Sequence, residues 1–300
     1  MFAKLLKYEW KANYKLFGLL SLVALGIGVV GGALIRCMFL MSDMVKNEFA
    51  LAMSEMSLLS MAMVCMVAVG VYATAVQYIN YYRFYKHKFT DEGYLTFTLP
   101  VKAESIFWSS FLHILIWMGI ASVVASVAST LMFSIGIGPW FVEVIIKAFQ
   151  EVGAPPLPEI TPQEWAALGK TLWEALVTIV KEGFLLTGAP LYYVLISIQS
   201  LITPFYTVVL TMTCIVIGSV LVKRMKLLVS VGIYLGFTSI IATLMQISVY
   251  VPSFVATFDF NHYYYWMSIP MMGQILLQVG VIVGGCILSI HLMKKRLNLP

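Results

Sequence analysis

The sequence predicts an all-α, polytopic membrane protein: six transmembrane helices, both termini cytoplasmic, and a small helical hairpin on the outer side. Three observations carry that prediction. Hydrophobic residues make up 61% of the 300 positions and charged residues only 11%, against about 25% charged in soluble domains. Six apolar runs reach the roughly 20 residues that a membrane helix needs. Lysine and arginine gather in alternate gaps between those runs, which is the pattern of membrane topology.

The runs are Leu16–Met41, Ser57–Tyr82, Ile106–Ile135, Phe184–Val222, Leu227–Val251 and Ile269–Met293. The first follows Lys4, Lys7, Lys11 and Lys15 as a signal peptide would, but it is too long for an h-region and no small-residue cleavage site follows. It is expected to stay as a span. One set of gaps holds those lysines, then Arg83, Lys86, Lys88 and Lys102, then Lys223, Arg224 and Lys226, then Lys294, Lys295 and Arg296. The other holds Arg36, Lys46, Lys147, Lys170 and Lys181 among many acids. The basic set belongs inside the cell. The whole chain, 1–300, reads as one transmembrane domain.

The fourth run is 39 residues long, nearly 60 Å at about 1.5 Å per residue. It reads either as one long helix kinked near Pro190 or Pro204 or as two spans hinged at the latter. An odd number of spans would put the basic carboxyl end outside, which favours the single helix. Residues 136–183 form the one polar excursion. There Phe141, Val142, Ile145, Ile146 and Phe149 fall at helical spacing, "APPLPEITP" breaks the chain, and Thr161 with Pro162 and Glu164 makes a helix start.

Residues 1–15 read as an amphipathic interface helix: Leu6 and Trp10 lie on an apolar face with Phe2, Tyr14 and Phe17, and Lys7 and Lys11 on a basic one with Lys4 and Lys15. Anionic lipid is the simplest partner for it. Chemistry-bearing motifs are missing. "GKT" at Gly169–Thr171 has Glu164 where a phosphate loop needs glycine. The four histidines have no HExxH spacing, and Cys37, Cys65, Cys214 and Cys286 stand singly in apolar runs. No catalytic residue, metal site or bound cofactor is expected in this chain, and the net charge of +5 reflects topology and not nucleic-acid binding. Intramembrane polarity is limited to neutral groups such as Gln199, Gln246, Gln274 and Gln278, which suit helix bridging. Gly28/Gly32, Gly232/Gly236 and Gly280/Gly284 have the spacing of close helix packing.

Between the second and third spans lies "FTDEGYLTFTLPVKAES", Phe89 to Ser105. Asp91, Glu92 and Gly93 favour a turn or helix start, and Pro100 suits the first turn of the next helix. Phe89, Tyr94, Leu95, Phe97 and Leu99 supply apolar anchors beside Thr90 and the acids, a mixture suited to docking a soluble partner. Packing against the lipid interface is the competing reading.

At these residues the chain resembles bacterial type-2 ATP-binding-cassette (ABC) transporter permeases, especially those of Firmicutes; "TDEGYLTFTLPV", Thr90 to Val101, carries the likeness. The resemblance implies an exporter permease subunit in the bacterial plasma membrane, itself not an enzyme. ATP and magnesium would be bound by a separate ABC ATPase subunit. Phe89–Pro100 would be the coupling helix, and Lys223, Arg224 and Lys226 a second cytoplasmic contact. A homodimer, or a heterodimer with a related permease, is implied because six spans are half the usual complement. Antimicrobial peptides and lipid-like molecules are the implied substrates. An ATP-independent carrier, or a sensor or immunity protein, is the alternative.

Overall fold

The computed structural model describes residues 2–44, 48–90, 93, 102–139, 170, 174, 177, 189–222, 224–256 and 263–295. Among the described residues there are six long helices and no strand: α1 (Phe2–Met44), α2 (Glu48–Phe89), α3 (Ala103–Gly136), α4 (Ala189–Leu221), α5 (Lys226–Ala256) and α6 (Tyr263–Lys295). All six are long and apolar enough to cross a membrane, which makes this a multi-pass membrane protein by length and composition. All but α4 are longer than the apolar runs that announce them; α4, with 33 residues, lies within its 39-residue run. The shortest has 31 residues, roughly 46 Å at about 1.5 Å per residue, against a hydrocarbon core of about 30 Å. The other five helices therefore continue beyond the hydrophobic stretches that announce them.

Two expectations meet the structure directly. The lysine-bearing N-terminal stretch is not set apart from the first span, because α1 runs unbroken from Phe2. No glycine or proline occurs from Phe2 to Phe17 to divide it. The fourth run is one helix over its described part, passing Pro204 without ending. Around that proline, Thr203 Oγ1 donates to the Gln199 carbonyl at 2.7 Å and Thr207 Oγ1 to the Pro204 carbonyl at 3.0 Å. The turn that loses a main-chain donor is thus braced by hydroxyls. Of the 136–183 insertion, Lys170, Glu174 and Val177 are helical, and Lys170 pairs with Glu174 at 3.9 Å. Thr161, Pro162, Glu164 and most of the remainder lie outside the described residues.

The chain divides into two compact units. One comprises Lys7–Asn80 and Ile116–Trp165. Its centre is Phe17 and Ala24 of α1, Tyr72 and Val76 of α2, and Trp117 and Ala121 of α3. Trp117 stacks on Trp10 with ring centroids 4.7 Å apart and meets Phe17 at 4.8 Å. Ser21 and Tyr72 share a hydrogen bond of 2.8 Å. Gly28 and Gly32 let α1 approach α3 at Ala128 and Met132, where a Cβ would meet main-chain atoms.

The other unit comprises Met1–Leu6, Tyr81–Leu115 and Ala166–Pro300. Within it α4 packs on both α5 and α6, and α5 on α6. Tyr206, Leu210, Cys214 and Ile241 form the buried centre. α4 is the enclosed member: 56% of its apolar window is buried, against 11% for α5. Polar pairs join α4 to α6, with Gln199 Nε2 donating to Gln274 Oε1 at 2.9 Å and Ser289 Oγ to Thr213 Oγ1 at 3.0 Å. The glycine spacings on α5 and α6 do not serve this packing. A Cβ at Gly232, Gly236, Gly280 or Gly284 would meet nothing. It is Gly285 that seats α6 against Val209 and Thr213, and Gly218 that seats α4 against Ser230.

Candidate functional site

The residues singled out between the second and third spans start where α2 ends. Phe89 is its last residue, and thirteen residues separate it from Ala103 at the start of α3. The last turn of α2 carries Lys86, His87 and Lys88, and the two lysines place positive charge where the helix dipole is negative. Thr90 Oγ1 donates to the Lys86 carbonyl, and the Gly93 amide donates to the Thr90 carbonyl at 2.8 Å. Those two bonds satisfy acceptors that a helix end otherwise leaves open. Gly93 is buried and helical. Asp91, Glu92, Tyr94, Leu95, Phe97, Leu99 and Pro100 lie outside the described residues.

Phe89 points inward. Its side chain is 2% exposed, and its ring meets Phe84 edge-on at 5.5 Å. The residue expected as the first docking anchor is thus buried within its own chain. Its main-chain carbonyl is equally engaged: Lys226 Nζ donates to it at 3.2 Å. The start of α5 therefore caps the end of α2: Lys226 supplies a donor to its terminal carbonyl, where helical carbonyls lack partners. A half-buried hydrogen bond from a charged donor is worth about 1.5–3 kcal/mol.

The far end of the stretch is also held. The Lys102 carbonyl accepts from the Ser105 and Ile106 amides, at 2.9 and 3.3 Å, and so starts α3. One residue inside, Glu104 pairs with Lys294 near the end of α6. Both side chains are about half exposed, and such pairs contribute little in water.

The second basic cluster is thus split in use. Lys226 faces α2, Arg224 is exposed and Lys223 lies outside the described residues. Between them Met225 takes a left-handed backbone, φ 56°, uncommon for a residue with a side chain. On α1, Leu6 belongs to the same unit as this site, whereas Lys7, Trp10 and Lys11 belong to the other, where Trp10 meets Trp117. Glu104 and Lys294 are the residues that sequence reasoning did not assign to the site. Their only signal was position, in the terminal turns of helices on the basic side.

Among the described residues no three His, Cys, Asp or Glu side chains come together as metal ligands would. Comparison with family models, with curated proteins and with solved structures finds no match.

Proposed function

We propose that this chain is the membrane-spanning subunit of an ATP-driven exporter of the ABC type, working with a separate ATPase in the bacterial plasma membrane. The observation that carries the reading is the stretch "TDEGYLTFTLPV", joined on either side to a helix long and apolar enough to span a membrane. Its apolar side chains beside Asp91 and Glu92 suit the cleft of a soluble partner, with burial giving affinity and polar groups giving register. ATP-driven closure of the partner would press on this stretch and move the helices it joins. Two such chains, or this one with a related chain, would enclose the path of a lipid-like or peptide substrate.

The test is capture and stimulation. Chain purified from its native membrane should bring with it an ATPase carrying a Walker A motif, and the reconstituted pair should hydrolyse ATP faster than the ATPase alone. Tyr94→Ala should weaken capture or abolish stimulation with membrane insertion unaffected. Transport by the chain with every ATPase removed would instead assign it to the ATP-independent carriers.

A further inference from the structure

We infer that Lys226 is a positioning residue, the tether through which displacement of the Phe89–Pro100 stretch reaches α4, α5 and α6. This deepens the reading above and rests on it for the source of the displacement. The resemblance assigned Lys226 outward, to the ATPase. The structure turns it inward.

The argument starts from the connection between α4 and α5. Only residues 222–225 separate the two helices, and the last of these is the left-handed Met225. Just beyond, Gly218 lies so close to Ser230 that a Cβ would overlap the serine main chain. Ser230 Oγ reaches the Lys226 carbonyl at 2.8 Å and the Ile215 carbonyl at 3.4 Å. The tip of this hairpin is therefore closed and backed by main-chain contact, which suits it to move as one piece. Lys226 sits at that tip and holds the last turn of α2 through the Phe89 carbonyl. From the hairpin the contacts continue into α6 through Gly285 and the Ser289–Thr213 bond. A push on the stretch after Phe89 thus acts on three helices that it does not join in sequence. The Lys294–Glu104 pair is a second attachment at the other end of the stretch, but its exposure makes it the weaker one.

The test compares the full chain in lipid nanodiscs with Lys226→Met, which keeps the apolar stem and loses the donor, and with Lys226→Arg, which restores one. Hydrogen exchange of the peptide covering residues 84–90 should be roughly tenfold faster in Lys226→Met and within about twofold of wild type in Lys226→Arg. Exchange in the middle of α4 should be unchanged in both. Wild-type exchange at residues 84–90 in Lys226→Met would overturn the tether, and so would Lys226→Arg behaving as Lys226→Met does. In the reconstituted pair, Lys226→Met should capture the ATPase normally and lose its stimulation of hydrolysis. Loss of capture would make Lys226 a docking contact and overturn the proposal. A wild-type chain that captures no ATPase sinks the proposed function instead, and the exchange measurement then judges the tether by itself.

Discussion

Gly28 of α1 lies against Ala128 of α3 so closely that a Cβ at position 28 would stand 2.5 Å from the Ala128 carbonyl oxygen. The obstacle is main chain, which no rotamer change can move aside. In a bilayer, where lipid tails are as apolar as the side chains, close backbone approach of this kind is a main source of helix association.

Gly28→Val should therefore force α1 and α3 apart, at a cost of about 1–3 kcal/mol. Gly280→Ala should not lower the same measurement, since open space surrounds that position and alanine is the better helix former. Thermal unfolding in detergent, followed by loss of the monodisperse peak, decides between them. Equal midpoints for the two variants would refute the assignment of the close contact.

Trp117 should be the more costly tryptophan to lose. It is 5% exposed and touches both Trp10 and Phe17, whereas Trp108 is 42% exposed. Trp117→Ala is expected to cost roughly 3–5 kcal/mol, and Trp108→Ala clearly less. The same unfolding midpoints report it, and the reverse order would be fatal to the α1–α3 packing described.

The Gln199–Gln274 bond should show coupling. Interhelical bonds of this type in membranes average about 0.6 kcal/mol and reach about 1.7. Gln199→Leu and Gln274→Leu should each destabilise, while the double variant should lose less than the sum of the two. Strict additivity in a double-mutant cycle would mean that the two amides do not interact.

Orientation can be read by labelling. The asymmetry of lysine and arginine predicts that cysteine at Glu159 reacts with an impermeant reagent on intact cells, and that cysteine at Lys102 or Arg224 reacts only after permeabilisation. Lys102 and Arg224 are exposed. Lys88, 6% exposed, and Lys226, bonded to Phe89, are poor reporters. External labelling at Arg224 would overturn the assignment of both termini to the cytoplasm.

What the sequence could and could not disclose divides along a physical line. Spans are a property of consecutive residues, so six apolar runs were enough to find six helices, and Pro204 inside the fourth did not hide it. Partners across helices are a property of rotation about each axis, which composition leaves open. Gly28 and Gly232 have the same spacing to their neighbours in sequence, yet one faces a helix and the other faces nothing. Phe89 looked like the first anchor of a docking stretch because its neighbours are polar; only the fold brings Phe84 against it. Lys226 was legible as a topology signal and not as a bond donor, since its acceptor is 137 positions away.

Met225 has a bearing on how this chain can change over evolutionary time. A left-handed backbone at φ 56° favours glycine, or asparagine, over a residue with a long side chain. Selection on folding alone would push position 225 toward those two. Drift at Gly218 and Ser230 is confined in the opposite sense, to nothing larger than what is there now, because main chain stands in the way. Diverging copies of the chain should vary at the apex of this hairpin and hold still on its flanks. A copy that replaced Gly218 with a larger residue would have to reopen the turn, and with it the path from Phe89 to α4.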